Sequence, residues 1–185
     1  MQHQVLFIHG GGEDGYHADL QLRDSLIADL GKRFSLVYPQ MPSEEQLPDF
    51  GWLDKIGQEL EGLCGSETGI VLVGHSLGAS MVLKFLSERE VSCEILGVFL
   101  LAAPFWKGDQ DWVQGLKLSK GFERKLPKGI PFYFYHCNDD REVGISDLQH
   151  YRTLMPQAVT VELESGGHQF EGRLGMLATD MKVLY

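Results

Sequence analysis

The sequence predicts an α/β fold: a three-layer α/β/α sandwich around a mainly parallel six-stranded sheet, in a single domain spanning residues 1–185. Three observations lead there. Short, nearly uninterrupted apolar runs recur along the chain, which is how strands buried on both faces read. Amphipathic helical patterns stand between them. The length of 185 residues suits one domain, since domains hold roughly 100 to 200 residues.

The elements follow in order. Val5 to Ile8 is an apolar run ending in His9-Gly10-Gly11-Gly12, a buried strand entering a glycine loop. Leu22, Leu26, Ile27 and Leu30 keep helical spacing, and Gly31 ends that helix. Phe34 to Tyr38 is the second strand, stopped by Pro39. Gln40 to Gly51, with two prolines and several acids, reads as a surface loop before a helix carrying Trp52, Ile56, Leu60 and Leu63. Gly69 to Val73 is the third strand, and Leu77, Met81, Phe85 and Leu86 mark the helix over Leu77 to Arg89. Ile95 to Ala103, Pro131 to His136 and Ala158 to Leu163 supply the last three strands. Helical patterns cover Ile145 to Met155 and Phe170 to Leu184. Pro104 to Gly129 does not alternate; a connection so long inside a compact domain suggests a small lid or substrate loop.

Composition narrows the functional classes. Hydrophobic residues make up 43% and charged residues 23% of the chain, an ordinary globular balance. The net charge is −10, which repels phosphate backbones and anionic lipid, so neither nucleic-acid binding nor a membrane-surface role is expected. The longest apolar stretch, Val98 to Ala103, is far short of the roughly 20 residues of a membrane span. The N-terminus lacks the basic flank and apolar core of a signal peptide. Cys64, Cys93 and Cys137 are odd in number and widely spaced, so no disulfide framework or zinc ribbon is expected and a cytoplasmic location fits. The sequence leaves the oligomeric state open.

Gly74-His75-Ser76-Leu77-Gly78 matches G-x-S-x-G between a strand and a helix, where a nucleophile elbow requires it. Side chains at 74 or 78 would collide with the neighbouring strand or helix. The free N–H of Leu77 at the helix start is placed to bind an oxyanion. A serine needs a base and an orienting acid. His168, after Ser165-Gly166-Gly167, is the best base among seven histidines, and Asp139 or Asp140 lies in the loop after the fifth strand. Both loops leave C-terminal strand ends, the edge where open α/β sheets place their sites. His9 and His17 lack a third partner at useful spacing, so no metal and no cofactor is expected.

With these residues in place the chain resembles the α/β-hydrolase superfamily over nearly its whole length. The matching features are Phe7-Ile8-His9-Gly10, the G-x-S-x-G elbow, the turn from His136 to Val143, and Gly167-His168. In size and layout it is similar to the small single-domain serine hydrolases related to retinoblastoma-binding protein 9 and the bacterial YdeN group. The resemblance implies a Ser76, Asp140, His168 triad, Asp140 being the acid when Val143 is aligned with the family's valine. It also implies Gly11 as the second oxyanion donor, with Gly12 behind it. Cys137 and Gly144 depart from the family's usual glycine and proline in that turn, and Tyr16-His17 stands where relatives often carry tryptophan.

The expectation is a serine hydrolase of carboxylesterase type, acting on a small or medium acyl ester through an acyl-enzyme. The alternatives are a thioesterase, amidase or acyltransferase, or a non-catalytic binding module. Tyr16, Phe105 and Trp106 are the candidate substrate-binding residues, the Gln40 to Trp52 loop a further one, and Lys107 or Lys117 would receive any anionic group. Gly10 to Gly15 also satisfies the dinucleotide pattern G-x-G-x-x-G. The second strand, however, ends in Val37-Tyr38-Pro39, without the acid that would hold a ribose.

Overall fold

The computed structural model describes residues 2–65 and 68–185. Its strands are β1 (His3–Ile8), β2 (Phe34–Val37), β3 (Ile70–His75), β4 (Ile95–Leu101), β5 (Phe132–Cys137) and β6 (Val159–Leu163). They form one sheet of order β2-β1-β3-β4-β5-β6, and every neighbouring pair is parallel. The helices are α1 (Gly15–Ala18), α2 (Leu20–Leu30), α3 (Trp52–Leu63), α4 (Leu77–Glu88), α5 (Asp111–Gln114), α6 (Ile145–Leu154) and α7 (Gly175–Lys182).

The apolar runs are continuous because alternate residues of each strand enter different cores. Leu6, Ile8, Ile70, Leu72, Val98 and Leu100 pack with α3, α4 and α6 on one face. Val5, Phe7, Val71, Val73, Phe99 and Leu101 pack with α2 and α7 on the other. Each such side chain contributes about 1.5 to 3 kcal/mol when fully buried, which is why β3 and β4, at the middle of the sheet, carry no polar residue before their C-terminal ends.

The chain leaves β1 toward β2 on one side and runs from β3 to β6 on the other. The order therefore reverses between β1 and β3, and the two loops that leave those strands diverge to open a crevice. The loops in question carry Gly10 to Gly15 and Ser76.

Two features depart from expectation, the last helix and the cysteines. The final helix is broken: Glu171 and Gly172 take φ of 49° and 67°, so a single 3-10 turn at Phe170–Gly172 precedes α7. A Cβ at 172 would lie 2.3 Å from the Gln21 side chain, so packing against α2 holds that turn. The Pro104 to Gly129 segment is anchored, with Val113, Leu116, Phe122 and Leu126 buried. Finally, Cys64 and Cys93 form a disulfide with Cα atoms 5.2 Å apart, contrary to the expectation of none. Their spacing in sequence hides that the end of α3 and the chain entering β4 are neighbours. Among the described residues no helix is long and apolar enough to cross a membrane.

Candidate active site

Ser76 occupies the one-residue turn between β3 and α4, with φ 51° and ψ −122°, a conformation a non-glycine residue adopts only under constraint. The constraint is visible on both sides. The Ser76 N–H donates to Leu101 O at 2.8 Å. A Cβ at Gly74 would lie 2.6 Å from Ala79 Cα, and one at Gly78 only 2.3 Å from Ile8 O. Strand, turn and helix thus pack backbone to backbone, and only glycine fits at 74 and 78. Leu77 opens α4, so its N–H has no acceptor within the helix. Gly11 lies against it: a Cβ there would meet Leu77 Cδ2 at 2.7 Å.

His168 reaches the same place from the loop after β6. Ser76, His168, Gly11 and Glu142 line one cavity of about 230 Å³. His168 Nδ1 lies 2.8 Å from Asp140 Oδ2 and donates to it, which leaves Nε2 with the lone pair. Nε2 is 3.7 Å from Glu142 Oε2. The second oxygen of Asp140 accepts the N–H groups of Glu142 at 2.8 Å and Val143 at 3.0 Å. Asp139 faces elsewhere: it accepts the Gly167 N–H at 2.8 Å and the Gly166 N–H at 3.3 Å. Of the two aspartates it is Asp140 that meets His168, while Asp139 holds the glycines in front of it.

The electrostatics follow from this pairing. Burial alone would lower the His168 pKa. The hydrogen bond and charge of Asp140, with the charges of Glu142 and Asp19, outweigh burial and leave it raised. Burial likewise pushes Asp140 up, but its bonds from His168, Val143 and Glu142 win and hold it below the usual carboxylate range. Cys137 is buried beside this turn, and burial with Asp139 and Asp140 nearby pushes its thiol up to about 11.

A second cavity, of about 460 Å³, opens from Gly11 and Leu77 toward Tyr16, Met41, Phe50 and Trp52. Its wall is built on His9, which sequence reasoning left unassigned. His9 Nδ1 donates to Gly10 O at 2.6 Å and Nε2 accepts the Met41 N–H at 2.9 Å. One neutral imidazole thereby ties the glycine loop to the 40–52 loop, and burial lowers its pKa accordingly. Trp52 Nε1 donates to Pro42 O at 2.9 Å, and Tyr38 Oη to Tyr16 O at 2.8 Å.

Tyr16 therefore lines the cavity beside Ser76, whereas Phe105 and Trp106 do not. The Phe105 backbone N–H is held by Asp147 at 2.9 Å and its ring stacks on His150 of α6, and Trp106 Nε1 donates to Ser80 Oγ of α4 at 2.9 Å. Lys107 pairs with Asp147 at 3.3 Å and Lys117 with Gln114 at 3.0 Å, so neither reaches either cavity. Among the described residues no Lys or Arg lines them. No cluster of three potential metal ligands occurs among the described residues.

Comparison with known proteins gives three results. Residues 5–124 match the model of the Alpha/beta hydrolase family. Embryogenesis-associated protein EMB8 of Picea glauca is 33% identical over 67 residues, which are 35% of this chain and 15% of that protein. Among solved structures, the ydeN gene product of B. subtilis superposes with a TM-score of 0.71 at 23% identity, covering 99% of this chain and 98% of that one. The meta-cleavage product hydrolase CumD of Pseudomonas fluorescens superposes with a TM-score of 0.75 at 16% identity, covering 98% and 89%. The last two likenesses are of fold.

Proposed function

The chain belongs to the alpha/beta hydrolase family, and from that premise we propose that it is a serine hydrolase cleaving a small or medium acyl ester. The observation that carries the proposal is the shared cavity of Ser76 and His168, with His168 Nδ1 committed to Asp140 at 2.8 Å. Ser76 Oγ attacks the ester carbonyl carbon while His168 Nε2 takes its proton. The Leu77 and Gly11 N–H groups hold the oxyanion as the carbonyl opens. Collapse expels the alcohol, which leaves with the proton from His168, and an acyl-enzyme remains. Water then repeats the sequence, releasing the acid and regenerating Ser76. Asp140 stays ionised throughout and stabilises the imidazolium.

The cavity reaching Tyr16, Phe50 and Trp52 takes the uncharged part of the substrate. With Glu13 in its wall and no cation, strongly anionic groups are disfavoured. The test is labelling by a fluorophosphonate probe, followed by hydrolysis of 4-nitrophenyl esters of increasing chain length. Labelling at Ser76 with turnover that peaks at one chain length is the expected result. Intact, unreactive Ser76 would overturn the enzyme reading in favour of a binding module.

A further inference from the structure

Asp19 stands at the N-cap of α2, where an aspartate ordinarily caps its own helix. It does not do so here: it makes no side-chain cap bond and is 1% exposed. A carboxylate so buried requires compensation, and its partners come from three other parts of the chain. Oδ2 accepts the Gly10 N–H at 2.7 Å and His75 Nδ1–H at 2.7 Å. Oδ1 accepts Gln169 Nε2–H at 3.0 Å. His75 continues the connection, its Nε2 lying 2.9 Å from the His168 carbonyl oxygen. The His75 ring thus lies between Asp19 and the His168 backbone, one nitrogen against each.

These partners are the three segments that the proposed reaction must hold in register. Gly10 precedes Gly11 in the oxyanion loop, His75 precedes Ser76, and Gln169 follows His168. We propose that Asp19 is a positioning residue, which through Gly10, His75 and Gln169 fixes the oxyanion loop, the backbone entering Ser76 and the His168 loop against one another. The inference rests on the serine-hydrolase reading of the site. Oxyanion donors act only within about 2.7 to 3.1 Å of the developing charge, and a misplacement of about 1 Å can cost about 100-fold. The loss belongs in kcat, because the second cavity that takes the substrate does not touch Asp19.

The test uses the full chain carrying Asp19→Asn, Asp19→Ala or Gln169→Ala, with kcat and KM on a 4-nitrophenyl ester normalised to fluorophosphonate-titrated Ser76. Asparagine retains an acceptor for Gly10 and His75, and Gln169 can turn its amide, so Asp19→Asn folds. Asp19→Ala removes all three bonds, and its expected result is a kcat lowered about 10- to 100-fold with KM within about threefold, while Asp19→Asn, which keeps them, is expected to stay within about threefold of wild type. Gln169→Ala, losing one bond, is expected to lower kcat by up to about tenfold. An unchanged kcat per titrated site in Asp19→Ala and Gln169→Ala, or a loss confined to KM, overturns the proposal even if the melting temperature falls. Wild-type protein that does not label at Ser76 refutes the hydrolase reading instead. Hydrogen exchange then reads the connection itself: faster exchange at the Gly10 amide and the 166–169 loop in Asp19→Ala supports it, and unchanged exchange refutes it.

Discussion

Replacing Asp140 by Asn tests the proposed acid through a constraint specific to this site. The Asp140 oxygen facing Glu142 and Val143 accepts two N–H groups at 2.8 and 3.0 Å, so an NH₂ group cannot occupy that position. The asparagine carbonyl must therefore stay there, and its NH₂ turns toward His168 Nδ1, 2.8 Å away in the native site. His168 then has to accept at Nδ1 and carry its proton on Nε2, which is the wrong tautomer for removing a proton from Ser76. In a triad that error costs about four orders of magnitude in kcat, or about 5 kcal/mol of barrier. Asp139→Asn forfeits one of two exposed bonds to Gly166 and Gly167, about 1 kcal/mol and so up to about tenfold. Hydrolysis of 4-nitrophenyl butyrate, with circular dichroism to verify folding, separates the two variants. Equal losses, or a larger loss for Asp139→Asn, would refute the assignment.

Three more predictions follow from the same geometry. Ser76→Ala is expected to abolish labelling and turnover while retaining the melting transition; residual esterase activity at the wild-type level would move the nucleophile elsewhere. Because His168 must be neutral to act as base and its pKa is raised above the usual 6.5, kcat should rise with pH through a midpoint above 6.5. The sign for stability is opposite: the His168–Asp140 ion pair contributes fully below about pH 6.5 and its contribution is lost as pH rises through the raised native value. A rate midpoint at or below 6.5 contradicts the pairing. Gly78→Ala places a methyl group 2.3 Å from Ile8 O and 2.4 Å from His9 O, so the elbow must shift. A destabilisation of about 1 to 3 kcal/mol is expected, read by urea denaturation, and wild-type stability would show that β1 and α4 are not in backbone contact.

The strands, the elbow and the histidine loop were legible in the sequence because their signals are local. A strand buried on both faces must be apolar throughout, as Ile70 to Val73 is. A strand that turns into a helix at Ser76 must have glycines at 74 and 78 to let backbones touch. Other features depend on which strands become neighbours, and no local pattern encodes that. The reversal of order between β1 and β3 turns Asp19 away from its own helix and joins it to Gln169, 150 positions along the chain. It also lets His9 bind Met41 and so builds the large cavity on the 40–52 loop. The aromatic residues of the 104–129 segment looked suited to substrate, but Asp147 and Ser80 hold Phe105 and Trp106 instead. Sequence by itself determined the fold class and the candidate nucleophile, base and pair of acids, through periodicity, steric need and motif. Tertiary structure alone decided which aspartate faces His168, where the cavity lies, and that Cys64 meets Cys93, because those depend on distances across the sheet.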